Sequence, residues 1–282
     1  MQWATVIDAL KVANIGMLAL AMKRPAQVRG YLARSARLYD DAASRGLPVG
    51  SPLPQLGQGV HEQTAIRLPS GVFGDGGTSA EEVAVLATAT LLLRPRKIFE
   101  IGTFNGKTTA ALILNSEPGT EILSLDLPPM ADTEASNIAS DRYLIDARRV
   151  AQCVYDMGLE DRFEQVFCNS LEFDESPHAD SVDFAFIDGG HELRHVQSDT
   201  EKVARMLTDR GVVFWHDYGG KGVLRPLSMY LESLSASVPV YRVDRTSLAW
   251  AWGKDLRRWV AAHISGQRPR DLANSASGFA RA

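Results

Sequence analysis

The sequence predicts an α/β chain: a doubly wound, mostly parallel sheet of seven strands, with an antiparallel hairpin at its C-terminal end and a helical extension in front. Three observations carry this. Five short apolar runs between residues 97 and 217 alternate with stretches of helical spacing, the pattern of a parallel sheet covered on both faces. Two later runs, Val240–Val243 and Leu248–Trp252, are separated only by Asp244–Ser247 and read as an antiparallel pair. Before all of these, Val6, Leu10, Ala13, Met17 and Leu20 fall on one face of a helix over residues 3–22.

The elements follow in order. Pro25 closes the first helix or opens a second one reaching about Ala43, and Leu47–Gly59, rich in Pro and Gly, reads as a linker. A glycine-rich loop over Gly71–Gly77 precedes Ser79-Ala80-Glu81-Glu82, a capping box that starts a helix over Glu82–Leu93. Arg94-Pro95 stops it. The strands are then Ile98–Ile101, Glu121–Asp126, Phe163–Phe167, Ser181–Asp188 and Gly211–Asp217. The helices between and after them are Thr108–Asn115, Tyr143–Met157, Leu193–Leu207 and Leu224–Leu234. Three units result: 1–60 a helical extension and linker, 61–253 the sheet domain, and 254–282 a helix and loose tail.

Composition narrows the class. A hydrophobic fraction of 45% and a charged fraction of 23% suit a soluble globular protein. Cys153 and Cys168 make neither a disulfide framework nor a zinc site, which suits a reducing cytoplasm. Residues 1–46 carry seven Lys/Arg against three Asp/Glu, residues 254–282 six against two, and the body between is strongly acidic. An acidic body argues against nucleic acid as substrate. The apolar N-terminal helix wants a partner: the core, a second copy of the chain, or a membrane's inner face met peripherally with help from Lys23, Arg24, Arg29, Arg34 and Arg37. The run Val12–Met22 is too short to span a bilayer, which takes ~20 apolar residues, and lacks the features of a secretory signal.

Chemistry concentrates where strands end. Ligands of an open α/β sheet bind at the carboxyl ends of its strands. The first strand ends in Glu100-Ile101-Gly102, with Gly106 four residues on and a helix after it. Neither the dinucleotide fingerprint nor the P-loop spacing is present. Glu100 would repel a pyrophosphate and suits a ligand with a cationic amino-acid end. Gly102 lets backbone approach a ligand closely. Asp126 ends the second strand, about twenty residues beyond the glycines, where an acid can hold both hydroxyls of a ribose. Asn169-Ser170 follows the third strand, Asp188 ends the fourth, and His216-Asp217 ends the fifth.

E-I-G-T-F-N-G-K-T-T, L-S-L-D-L-P-P, F-I-D-G-G-H and V-F-W-H-D-Y together resemble the class I S-adenosylmethionine-dependent methyltransferases, in the branch with bacterial sugar and natural-product O-methyltransferases. The resemblance spans about residues 72–253. It implies a Rossmann-like sheet, S-adenosyl-L-methionine as cofactor and methyl transfer to a hydroxyl of a small molecule or glycoside. Carried over by residue, Glu100, Gly102, Thr103 and Thr108 would lie by the methionine part. Asp126 would hold the ribose, with Leu127 beside the adenine. Asn169 and Ser170 would meet the adenine edge, and Gly76-Gly77-Thr78 would close over the cofactor. Pro128–Tyr143 would form part of the lid.

Related catechol-type enzymes hold Mg²⁺ with acids after the fourth and fifth strands. Here the corresponding set is Asp188, His216 and Asp217; Mg²⁺ prefers oxygen, while the imidazole suits Mn²⁺, Fe²⁺ or Zn²⁺ better, and a divalent ion, Mg²⁺ or Mn²⁺, is the expectation. His191, three residues after Asp188, is the expected general base. His195, one turn on, reads as structural. Two rivals stay open: a hydroxylase using His216, Asp188 and Asp217 as an iron triad, and a cofactor-binding interaction protein without turnover.

Overall fold

Strand β1 (Lys97–Ile101) is buried along both faces from Ile98 onward, so it can only sit in the middle of a covered sheet. It pairs in parallel with β2 (Glu121–Asp126) on one side and β4 (Val182–Ile187) on the other. β3 (Glu164–Phe167) extends the sheet beyond β2, and β5 (Leu207–Trp215) beyond β4, both in parallel. β7 (Ala249–Trp252) returns antiparallel to β5, and β6 (Tyr241–Arg242) forms the edge beside β7. The order is β3-β2-β1-β4-β5-β7-β6. Strand order reverses between β1 and β4, and a crevice at their carboxyl ends is the place for a ligand. The computed structural model describes residues 46–52, 65–72, 77–128, 150–220 and 224–264. The expected helices over 3–22 and 25–43, Gly76, the lid residues from 129 on and the tail from 265 lie outside them.

The strands' period of two sorts their side chains into two cores. Phe99, Ile101, Leu123, Leu125, Ala185, Ile187, Val213 and Trp215 face one side, against α4 (Leu193–Met206), α5 (Arg225–Leu234) and α6 (Gly253–Ile264). Ile98, Ile122, Phe184, Phe186, Val212 and Phe214 face the other, against α1 (Ala80–Leu93), α2 (Lys107–Leu114) and α3 (Gln152–Asp156). Both faces need apolar residues, which is why these strands read as continuous apolar runs. Among the described residues no helix is long and apolar enough to cross a membrane.

Several elements differ from the sequence expectation. β5 begins at Leu207 rather than Gly211, with a register irregularity against β4 between Val182 and Phe184. The helix expected over Tyr143–Met157 is the single turn and a half of α3 in its described part. β6 keeps only two residues. Residues 46–50, expected to be linker, lie along β6: Val49 bridges Arg242 in parallel, and Gly50 O accepts from Trp250 Nε1 at 3.0 Å. Leu47 is buried, with its backbone N–H donating to Tyr218 Oη at 3.0 Å.

At the amino-terminal end of the sheet, Asp183 anchors three segments. It accepts from Arg96 N at 2.9 Å, Thr208 Oγ1 at 2.8 Å, and Arg210 Nε and Nη2 at 3.0 and 2.7 Å. Burial alone would raise its pKa, but these donors outweigh burial and hold the carboxyl well below the usual carboxylate range. A depressed folded-state pKa adds stability that is complete above the unfolded value, ~3.9, and disappears as pH falls through the folded value. Asp183→Asn is therefore expected to lower the urea midpoint at pH 7 and to lose only part of that deficit by pH 3, the rest disappearing at still lower pH. An equal deficit at both pH values would show that the charge at Asp183 is not what the network uses.

Candidate active site

The carboxyl end of β1 is shaped by close backbone contact. Gly102 has φ +98°, and a Cβ there would stand 2.1 Å from the carbonyl oxygen of Asp188. The glycine is thus required by the neighbouring strand end, a tighter demand than the ligand approach expected of it. Gly106, at φ +77°, would put a Cβ 2.7 Å from Ala151 Cα, so α2 can start only where α3's turn lets it.

Below this turn, Glu100 is fully buried. Its Oε2 accepts from Thr109 Oγ1 at 2.5 Å and Ser124 Oγ at 2.6 Å. Ser124 spends its proton on Glu100, so the 2.7 Å contact between Thr103 and Ser124 has Thr103 donating. The other oxygen, Oε1, is buried with no hydrogen-bond partner. Burial, reinforced by the carboxylates of Asp188 and Asp126, pushes the Glu100 carboxyl up to about 8.

Asp126 is set by local backbone. Its Oδ2 accepts from Phe104 N at 2.8 Å and its Oδ1 from Leu127 N at 2.7 Å. Each carboxylate oxygen can accept a second bond, so a ribose can still be held. Thr78 Oγ1 and Thr108 Oγ1 are 2.8 Å apart, which joins the loop at Gly77 to the start of α2. Asn169 uses its Oδ1 on Leu171 N, 3.1 Å away, and Ser170 beside it is buried.

The polar cluster lies at the ends of β4 and β5. His216 is buried, with Nδ1 2.9 Å from Asp188 Oδ1 and 3.4 Å from Asp217 Oδ1, and Nε2 3.2 Å from Glu82 Oε2. Burial opposes its charge, yet the carboxylates of Asp188, Asp217 and Glu82 outweigh burial and raise its pKa well above the ordinary histidine value. In its charged form the ring donates at both nitrogens. Glu82 is the capping-box residue of α1, and all its acceptor directions are used: Ser79 N at 2.7 Å, His216, and Ser247 N and Oγ at 2.7 and 2.6 Å. These partners outweigh burial and bring its pKa to about 2. On the other side, His191 Nε2 stands 2.9 Å from Asp217 Oδ2. Asp217 has φ +64°, which turns its side chain from β5 toward His191. Burial would raise both acids. His216 and His191 hold Asp217 well below the usual range, while Asp188 stays raised by burial and by its neighbour Asp217. Environments that separate two acids in this way are how a site divides their roles.

Residues 99–218 match a family model described as a methyltransferase domain. The match covers 120 of the chain's 282 residues. No curated protein matches the chain by sequence. Among solved structures, the SAH-bound methyltransferase PaMTH1 of Podospora anserina is similar at 12% identity and a TM-score of 0.49, over 78% of this chain and 95% of that one. An O-methyltransferase of Bacillus cereus in complex with SAH is similar at 15% identity and 0.45, over 73% and 92%. The O-methyltransferase TomG of Streptomyces achromogenes, in complex with SAM, gives 16% and 0.44, over 73% and 91%. Likeness at these levels transfers no substrate.

At the carboxyl ends of the strands most of the sequence-predicted residues separate into two groups. Glu100, Gly102, Thr103, Thr108, Asp126 and Leu127 gather around the ends of β1 and β2. Asp188, His191, His216 and Asp217 gather at β4 and β5. Expectation and geometry part over the metal set. Both nitrogens of His216 face carboxylates, Nδ1 toward Asp188 and Asp217 and Nε2 toward Glu82. Among the described residues, the groups whose ligand atoms all lie within 4.8 Å of one another are Asp188, His191 and Asp217. Sequence reading missed Glu82, whose capping-box signature accounts for only one of its four bonds, and Ser247, which carries no signature.

Proposed function

We propose that the domain transfers a methyl group from S-adenosyl-L-methionine to a hydroxyl of a small molecule or glycoside, with His191 as proton acceptor. The observation that carries this is the His191–Asp217 pair at 2.9 Å beside Asp188, at the carboxyl end of the sheet. Bound S-adenosylmethionine supplies a methyl group on a positively charged sulfur. The protein's own residues do the rest. Glu100, with an unpaired buried oxygen, and the acids Asp126, Asp188 and Asp217 favour a ligand that brings ammonium and sulfonium charge. Asp126 offers its remaining acceptor sites to the ribose. Asp217, held ionised, orients the His191 ring and stabilises it once it has taken the hydroxyl proton. His216 keeps Asp188 and Asp217 from repelling each other, so both can stay at the site. Alignment of methyl and acceptor oxygen accounts for most of the remaining acceleration.

A second reading, in which a divalent ion assists, is favoured by the convergence of Asp188, His191 and Asp217. One imidazole and two carboxylates suit Mn²⁺ better than Mg²⁺, and could equally hold iron. The test is methyl-labelled S-adenosylmethionine incubated with host extract, with and without chelator, for wild type and Asp126→Ala. Label should enter a small molecule, survive chelation, and drop in the variant, whose affinity for S-adenosylhomocysteine should fall by ~1–3 kcal/mol in calorimetry. Loss of transfer on chelation would replace the base reading with the metal one. Oxygen uptake without label transfer would favour a hydroxylase. Binding without any turnover would favour an interaction protein.

A further inference from the structure

α4 presents two charged side chains, Asp199 and Lys202, to the loops that flank the cofactor site. Lys202 Nζ donates to three carbonyl oxygens of one turn: Ser170 at 2.6 Å, Leu171 at 2.9 Å and Phe173 at 2.8 Å. An ammonium has three donors, and this one spends all of them on the turn that follows β3. That turn is already closed from inside, with Asn169 O accepting from Glu172 N at 2.8 Å and Phe173 N at 3.1 Å. Its far end is also fixed, because the Phe173 ring stacks on Phe99 at 5.3 Å and on His178 at 5.7 Å. Simple anchoring of the turn therefore does not call for a lysine. What the lysine adds is a fixed position for Ser170 and Leu171, at the end nearest β3 and the site.

Asp199, one turn earlier on α4, points the same way. It is fully buried, and neither of its oxygens has a well-formed hydrogen bond. The Ser170 hydroxyl and Lys202 stand near enough to temper the effect of burial, which brings the carboxyl up to about 7. A Cβ on Gly189, the residue after Asp188, would lie 3.5 Å from Asp199 Oδ2. One face of α4 thus touches both the turn behind Asn169-Ser170 and the loop that carries Asp188.

We propose that Lys202 is a positioning residue for base recognition: it holds the Ser170–Phe173 turn so that Asn169 and Ser170 meet the adenine edge. This rests on the reading above that Asn169 and Ser170 face the adenine. It assigns selectivity for the base to a residue that never touches it.

The test compares two ligands of full-length protein by calorimetry: S-adenosylhomocysteine and S-inosylhomocysteine, whose 6-oxo base reverses the hydrogen-bonding edge. Wild type should prefer the adenine form by about tenfold or more. Lys202→Met should weaken S-adenosylhomocysteine about tenfold and the inosyl form less, so that the preference shrinks toward one. Lys202→Arg keeps the charge and can satisfy two carbonyls through its planar fork, and should restore part of the preference. Should Lys202→Met fail to fold by circular dichroism, the arginine variant alone must show a reduced preference. Equal weakening of both ligands, or an unchanged preference in a folded variant, overturns the proposal. A wild type that binds S-adenosylhomocysteine without distinguishing the two bases overturns it through the adenine assignment. A wild type that binds neither overturns the cofactor reading itself.

Discussion

His191→Ala is expected to lower turnover by ~10²–10⁴-fold, the range for loss of a general base, with S-adenosylhomocysteine affinity little changed. The cause is geometric. His191 follows β4 by four residues, on the Gly189-Gly190 turn, and reaches the fifth strand's Asp217 at 2.9 Å. Without the ring, two carboxylates remain: Asp217, held well below its usual pKa, is a poor base, and Asp188 is engaged with His216. Asp217→Asn should approach the same loss, because the amide can no longer stabilise a protonated His191. The double variant should be scarcely worse than either single one, since the two act as a unit. Single-turnover rates with labelled cofactor, measured across pH, check this. A His191→Ala enzyme at wild-type rate would end the base assignment, and additive losses would end the pairing.

The second large effect is on stability. Glu82→Ala is expected to destabilise the fold by about 3–5 kcal/mol, the range for removing one partner of a buried ion pair. Glu82 is fully buried, and it joins three distant parts of the chain: the start of α1 through Ser79, β5 through His216, and the turn before β7 through Ser247. Its removal strands the His216 imidazolium in the core beside Asp188 and Asp217 and leaves Ser247 N without its acceptor. The melting temperature should fall by roughly 10 °C. Glu82→Ala and His216→Ala should combine for less than the sum of their separate costs, because the second change removes the charge that the first left unpaired. Thermal unfolding of the three variants measures this. A midpoint for Glu82→Ala within a degree or two of wild type would mean that His216 does not depend on it.

Much of the fold was legible because its causes are local. A strand buried on both faces must be apolar at every position, so Phe99 and Ile98 announce β1 whichever core each enters. The acids at strand ends were legible for the same reason: Asp126, Asp188 and Asp217 each break an apolar run at the place where the sheet meets its crevice. The S-x-x-E box over Ser79–Glu82 correctly marked the start of α1. The same box concealed what Glu82 does, because a capping glutamate accounts for itself within four residues and gives no hint of further partners.

By itself, the sequence determined the class of the sheet, the order of its strands along the chain and the residues that stand at their carboxyl ends. Periodicity and turn chemistry act within a few residues, and one chain displays them in full. Only the tertiary structure decided the pairings: His216 with Glu82 and Asp188, His191 with Asp217, Lys202 with the turn after β3, and residues 46–50 with the sheet edge. Each joins residues 26 to 200 positions apart, brought together by crossovers and return strands. Which carboxylate meets which histidine depends on the strand order, on the left-handed turn at Asp217 and on burial that makes every unpaired charge costly, and none of these is a property of the local sequence.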